Sequence, residues 1–350
     1  MARTVGDEPL AWAVAAHALD YDDLHMESTA HISAVCVPAA LGAGGGARAY
    51  LAGAGVMARL GTALGWSHYR SGWHATCTAG APAAAVTAGI AMGLTGKALA
   101  TAMALAIPAA GGVQGAFGTM AKPLQVGFAV SAGIRAARLA KAGAGADHGV
   151  LEEWMRLVGG DPEAIDMSGP AVPGGLAIKV YPCCYALQRP IAAVAGLHLD
   201  ASTVTGIRVR TPLNTLQPLN RHRPKTGLEG KFSLEYGVAA ALLDTQVGFA
   251  AFTDGSVNRA DAQRLVGLVT VEEVAGSSGE GLLDGEFTVF IEAAGKTYNG
   301  TLRLPPGAPG RPATDEDLAG KVADCCGTRA ASVMAIDWDS GATVLREALD

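Results

Sequence analysis

The stretch His17-Ala-Leu-Asp20-Tyr21-Asp22-Asp23-Leu24-His25, followed by Glu27 and by Thr29-Ala30-His31, puts four carboxylates and three imidazoles within fifteen residues. Groups of this kind are costly to bury, so the segment belongs on a rim or in a cleft. Asp and His together can ligate a divalent ion, but no His-x-x-x-His spacing with a carboxylate as third ligand is present, and no metal is expected. The alternative is a solvated helix end in which Asp20 or Asp22 caps the next turn. His74, in Gly72-Trp73-His74-Ala75-Thr76, directly precedes a long uncharged stretch that reads as a helix. Backbone N–H groups and the helix dipole favour an anion there, although an imidazole beside Trp also suits a packed core. Lys122 is the only basic residue between Lys97 and Arg135, and Pro123 sets the first turn of the helix that it enters. Lys179, in Ile178-Lys179-Val180-Tyr181-Pro182-Cys183-Cys184, stands at an expected domain boundary, where ligand clefts tend to form. Either lysine is equally an ordinary solvated surface charge. Gly42-Ala43-Gly44-Gly45-Gly46 imitates a phosphate loop without the preceding strand or the following acidic residue, which argues against nucleotide binding. Gly-x-Ser-x-Gly, His-Glu-x-x-His and Walker patterns are absent.

These side chains must be positioned by 350 residues, half of them hydrophobic, a length that allows two domains. With 26 Lys and Arg against 32 Asp and Glu, the net charge of −6 leaves no global basic field for nucleic acid or anionic lipid. Cys36, Cys77 and the adjacent pairs Cys183-Cys184 and Cys325-Cys326 make neither a disulfide framework nor a zinc spacing; reduced thiols in a cytoplasm are expected. Met1 and Arg3 are followed by Asp7 and Glu8, without the apolar stretch and cleavage site of a signal peptide. Residues 79–96 and 98–120 are uncharged but built from Ala, Gly, Thr and Pro, not from the Leu, Ile, Phe and Val that drive insertion, so they read as buried helices and not as membrane spans.

Residues 10–19, 82–92, 97–107, 124–142 and 151–158 carry helical composition without period-two alternation. Beyond about residue 170 the pattern changes. Residues 203–211 and 265–274 suit half-buried strands, and 287–292 with 297–304 read as a β-hairpin; helices over 187–197 and 234–243 lie between, and the strands are expected to be antiparallel. Thr314, followed by Glu316 and Asp317, opens a helical tail with a capping-box pattern. The expected fold is mainly α: a large all-helical domain over 1–170, to which 312–350 return, with a smaller α/β (α+β) lid domain over 171–311 inserted between.

Five stretches carry a resemblance: His17-Ala-Leu-Asp20-Tyr-Asp-Asp23, Gly72-Trp-His74-Ala-Thr, Ala116-Phe-Gly-Thr-Met-Ala-Lys122-Pro-Leu, Lys179-Val-Tyr-Pro-Cys-Cys184, and Thr226-Gly-Leu-Glu-Gly-Lys-Phe-Ser-Leu-Glu-Tyr236. In this order they resemble the MmgE/PrpD family, which includes 2-methylcitrate dehydratase, cis-aconitate decarboxylase and iminodisuccinate epimerase. The resemblance implies an all-helical large domain, a smaller α/β lid, a homodimer, and a cleft between the domains that takes a small di- or tricarboxylate; no cofactor is expected. Carried over motif by motif, Asp20, His31, His74, Lys122, Lys179 and Tyr236 would line the pocket. The lysines would meet carboxylates, His31 and His74 would exchange protons near neutral pH, and Tyr236 would donate to an enolate or leaving hydroxyl. Asp20 would hold an imidazole in its useful tautomer. His25, Thr76, Gln125 and Cys184, from the same neighbourhoods, are expected to contact substrate.

The chain also departs from the family pattern. Many relatives have a His where Gln125 stands, a Thr-His pair at Leu187-Gln188 and an acidic residue at Gly55; decarboxylase-like members have a His where Cys184 falls; and the chain starts where relatives already have several helices behind them. The expectation is therefore a metal-independent hydro-lyase of the 2-methylcitrate dehydratase type. An epimerase or isomerase, a cis-aconitate-type decarboxylase and a catalytically inactive binding homologue are the alternatives.

Overall fold

The computed structural model describes residues 6–274 and 285–349. Met1 and Arg3, and residues 275–284 of the expected lid, therefore lie outside the described residues. The first half is a helix bundle: α1 (Glu8–Ala18), α2 (Ile32–Gly42), α3 (Ala47–Arg70), α4 (Ala75–Thr78), α5 (Gly80–Ala91), α6 (Gly96–Ala106), α7 (Ala121–Lys141) and α8 (Val150–Leu157). Small residues set the helix spacing. A Cβ on Gly133 of α7 would stand 2.5 Å from the Ala84 Cβ and 2.7 Å from the Ala81 carbonyl of α5. This close approach explains the uncharged stretch at 79–96: α5 is buried from Gly80 to Gly89, and no helix among the described residues is long and apolar enough to cross a membrane.

Two helices, α2 and α3, have no counterpart in the sequence expectations. Pro38 lies inside α2, and α3 carries Gly53, Gly55, Gly61 and Gly65, residues that ordinarily count against a helix. Here glycine provides contact: Gly53 meets Thr87, Gly61 meets Ser28, and the left-handed Gly65 (φ 70°) kinks the helix. A Cβ on Gly55 would lie 2.5 Å from the Ala171 carbonyl, in a loop whose carbonyls at Asp166, Ser168, Pro170 and Ala171 are gathered by Arg59. The acidic side chain that the resemblance implies there has no room at that position.

A two-residue antiparallel pair, β1 (Asp23–Leu24) with β2 (Ala177–Ile178), joins the carboxylate-rich segment to the chain just before Lys179. Beyond it, α9 (Gln188–Ala195), the turns α10 (Leu213–Leu216) and α11 (Gly227–Gly230), then α12 (Leu234–Leu243), α13 (Asp254–Val257) and α14 (Ala260–Leu268) accompany a four-stranded sheet. Its strands are β3 (Val204–Pro212), β4 (Val269–Val274), β5 (Phe287–Ala293) and β6 (Lys296–Leu302), in the order β4-β3-β5-β6. The hairpin β5–β6 and the β3–β5 pair are antiparallel, as expected. The β3–β4 pair is parallel, with Ile207 opposite Val269, which corrects the all-antiparallel expectation. The reason is that residues 260–268 are a helix and not the first part of a strand; this crossover returns the chain in the direction of β3. The tail follows as α15 (Asp315–Cys326), with the Thr314–Asp317 capping box, then α16 (Ala330–Met334) and α17 (Gly341–Leu349). It returns to the bundle, where Trp338 meets Tyr50 at 6.0 Å and Arg346 donates to the Gly45 carbonyl. The molecule is thus mainly helical with a small mixed sheet.

Candidate active site

The site is made by a reversal of the chain after α1. Asp20 takes a left-handed conformation (φ 54°), which turns Asp22 back so that its Oδ2 lies 2.6 Å from His17 Nδ1. The β1–β2 pair then brings Lys179 beneath this turn, and the first turn of α7 brings Lys122. Asp20 Oδ1 accepts from both lysines, at 2.8 Å from Lys122 Nζ and 2.9 Å from Lys179 Nζ. Lys179 also donates to Asp22 Oδ1 at 3.1 Å and to the Asp20 carbonyl at 3.2 Å. Asp22 Oδ2 stands 3.2 Å from His31 Nδ1 as well, near enough for an ion pair though without hydrogen-bond alignment.

Two carboxylates and two ammonium groups therefore share one buried knot. Burial alone would raise the Asp20 carboxyl, but Lys122 and then Lys179 outweigh it and hold the group well below the usual carboxylate range. Asp22 is likewise held down against burial by His31, Lys179 and His17. Lys179, though wholly buried, is pushed up by Asp20 and Asp22 and stays an ammonium. His17 moves the other way, to about 4, because burial and then Lys122 disfavour its cation.

Above the knot stand the two other imidazoles. His31 precedes α2, and its backbone N–H donates to Thr76 Oγ1 at 3.1 Å. His74 precedes α4, its N–H bonded to the Gly112 carbonyl at 3.0 Å. The His74 ring stacks on His17 at 5.6 Å and meets the Phe117 ring edge-on at 5.0 Å. Burial, then His17 and Lys122, hold the His74 pKa well below the ordinary histidine value. Asp20, Leu24, Thr29, His31, Tyr69, His74, Phe117, Lys122, Cys184, Tyr185, Pro218 and Phe232 line one cleft of about 20 Å³. That is room for about one water, so a polycarboxylate enters only when the walls part. A larger depression of about 790 Å³ lies elsewhere, between Asp7, Glu8, Arg135 and Arg138, and has no imidazole in its lining.

Of the residues picked out from the sequence, Asp20, His31, His74, Lys122 and Cys184 meet at this cleft. Five do not line it. Lys179 lies behind it, fully buried on Asp20 and Asp22. Tyr236 is in the core of the mixed region, and its hydroxyl donates to the Ala251 carbonyl, since the turn of α12 points it toward that loop and away from the knot. The His25 ring is engaged on both sides, by Ser28 Oγ at 2.8 Å and the Pro173 carbonyl at 2.6 Å. Thr76 supports His31 from behind, and Gln125 turns to His74 Nδ1 and the Val113 backbone.

Other residues were missed. His17 and Asp22 lay inside the segment singled out but escaped selection, because no local pattern announces a left-handed turn at Asp20. Phe117 and Phe232 place their rings 5.6 and 4.9 Å from Lys122 Nζ; both sit in the quoted motifs, where their aromatic character was the available signal. Tyr185, next to Cys184, carries a buried hydroxyl without a hydrogen-bond partner among the described residues. One ligand atom each from His17, Asp22 and His31 lies within 4.8 Å of the others, a grouping compatible with a metal ion in distance. The ammonium of Lys179, 3.1 Å from Asp22, works against a divalent cation there.

Comparison with known proteins agrees with the motifs. The MmgE/PrpD N-terminal domain matches residues 9–158, and the MmgE/PrpD C-terminal domain matches residues 181–337. The cis-aconitate decarboxylase of Aspergillus terreus is 28% identical over 298 residues, covering 72% of this chain and 60% of the relative. The protein of the same name from Aspergillus terreus strain NIH 2624 / FGSC A1156 is 29% identical with the same coverage. The chain thus spans about 60% of the length of the curated relatives it matches. With both family domains matched in order along one chain, the protein belongs to the MmgE/PrpD family.

Proposed function

We propose that the chain is a metal-independent lyase that removes a proton next to a carboxylate of a small di- or tricarboxylic acid and expels a hydroxyl from the neighbouring carbon. The observation that carries this reading is the shared cleft of His31, His74 and Lys122 above the buried Asp20–Lys179–Asp22 knot. The bundle and the mixed region act as the two domains, with the cleft between them. His31, its Nδ1 facing Asp22, accepts the proton from carbon. The electron pair passes through an enolate-like state, stabilised by the Lys122 ammonium, into a new C=C bond as the C–O bond breaks. The departing hydroxyl leaves as water, taking a proton from Tyr185, whose phenol burial keeps in the neutral, donating form. General acid–base catalysis of this kind contributes about 10²- to 10⁴-fold.

Decarboxylation is the second reading, favoured by the likeness to cis-aconitate decarboxylase. Cys184 speaks for the first. It lines the cleft where decarboxylase-like members have an imidazole, and burial, then Asp20, push its thiol up to about 11, so it does not exchange protons near neutral pH. Purified protein, treated with a strong chelator, should be given 2-methylcitrate, citrate and cis-aconitate in turn. Alkene absorbance rising with the first two supports the lyase. Carbon dioxide from cis-aconitate would favour the decarboxylase, exchange of the α-proton without alkene an epimerase, and inertness toward all three a binding homologue. Activity lost to the chelator and restored by one divalent ion would overturn metal independence.

A further inference from the structure

Gln125 sits on α7 between His74 and the Val113 backbone, and that placement fixes which way its amide faces. The Val113 N–H donates to Gln125 Oε1 at 3.0 Å, and the Val113 carbonyl lies 3.3 Å from Gln125 Nε2. Flipping the amide would set two donors against each other at Val113 and leave two acceptors facing at its carbonyl. The amide NH₂ is therefore the end that meets His74 Nδ1, at 2.7 Å. Cys77 Sγ lies 3.3 Å from the same nitrogen; burial pushes this thiol up, so it too is a donor. With two donors aimed at it, Nδ1 is the lone-pair nitrogen, and the ring proton belongs on Nε2. That nitrogen is buried, has no hydrogen-bond partner among the described residues, and belongs to a ring that lines the cleft.

We propose that Gln125 is a positioning residue that locks His74 in the Nε2–H tautomer, so that His74 meets the substrate as a neutral hydrogen-bond donor to the developing oxyanion and leaves proton abstraction to His31. This rests on the lyase reading for the identity of the oxyanion, an enolate-like carboxylate. A neutral imidazole N–H suits that role because it is already aimed where charge develops, and in a dry site such a donor needs no reorganisation at the moment of reaction. His74 is surrounded by His17, Lys122, His31, Asp20 and Cys77, and burial with the first two disfavours its cation, as a neutral donor requires.

The tautomer itself can be observed. Protein labelled with ¹⁵N-histidine, examined at neutral pH by two-bond ¹H–¹⁵N correlation and assigned by the signal lost in His74→Asn, should show a pyridine-type Nδ1 and a pyrrole-type Nε2. Gln125→Glu replaces the donor with a carboxylate and should move the proton to Nδ1, lowering kcat by about 10²- to 10³-fold, the range for a lost oxyanion donor, with KM changed far less. Gln125→Met, which removes the donor without supplying an acceptor, should give mixed tautomers and a smaller loss. A pyrrole-type Nδ1 in the unaltered protein overturns the proposal even if a variant fails to fold, and so does Gln125→Glu that keeps both the original tautomer and kcat. The spectra need no substrate: if no polycarboxylate were turned over, the lyase reading would fail while the spectrum still decided the tautomer lock.

Discussion

The bundle and the mixed region have buried cores of opposite character. Between Ala13 and Met155 the core is largely alanine, with glycines at the helix crossings; beyond Ala177 it is Leu, Ile, Val, Phe and Tyr around a sheet. The first gains its stability from backbones that approach closely, the second from large side chains that interlock. One should therefore fail when side chains grow and the other when they shrink. The charged knot belongs to neither pattern. It is stitched across the seam, with Asp20, Asp22 and Lys122 from the bundle and Lys179 from the start of the mixed region.

That seam is where the largest effect is expected. Lys179→Met leaves Asp20 with Lys122 alone and Asp22 with no lysine partner among the described residues, and breaking a buried pair of this kind costs about 4 kcal/mol. Arg156→Met, which removes surface pairs to Glu152 and Glu163, should leave the urea midpoint where it was. Equal effects from the two variants would mean that the knot is not structural.

In the mixed region Phe287, wholly buried on β5, should cost about 3 kcal/mol when cut to Ala, by lost transfer energy and the cavity left behind. A comparable loss, reached by acid instead of mutation, is expected in the bundle. The pKa of His17 is about 4 when folded and 6.5 when free, so between those values the unfolded chain binds more protons. Stability must fall as pH drops from 6.5 toward 4, by about 3 kcal/mol from this group. His74 and His68, both lowered by burial, act in the same sense. The mixed region's His198 and His222 are exposed, so hydrogen exchange at mild acid should open the bundle first; simultaneous opening would contradict the comparison. The smallest effect is Gly133→Ala. Its Cβ would meet backbone at 2.7 Å on α5, and overpacking of this kind costs about 2 kcal/mol by thermal or urea unfolding, although the exchange ordinarily favours a helix.

Much of this division could be read from the residues. Alternation over 203–211 and the hairpin around Gly295 announce a sheet, and the Ala-rich stretches announce helices, because period and propensity are local. What was hidden depends on partners distant in sequence. The glycines of α3 look like breaks until Thr87 and Ser28 are placed against them, and the parallel β3–β4 pairing follows only once 260–268 is a helix. The site divides likewise. His74 and Lys122 lie in the quoted motifs and His31 just beyond the first of them, while Tyr236, expected at the cleft, bonds the Ala251 carbonyl instead, because no local pattern tells which carbonyl a buried hydroxyl will find. Lys179 was expected to reach substrate, but its environment satisfies it on Asp20 and Asp22.

The lyase reading turns on His31 as the group that takes a proton from carbon. The direct measurement is exchange of the α-proton of citrate and 2-methylcitrate with deuterated solvent, followed together with alkene formation, in the unaltered protein and in His31→Gln. The prediction is proton loss and alkene in the first and a fall of about 10²- to 10⁴-fold in both rates in the second, with the fold and the affinity for the acid retained. Near-native rates in His31→Gln would show that this imidazole is a packed wall residue and that the base lies elsewhere.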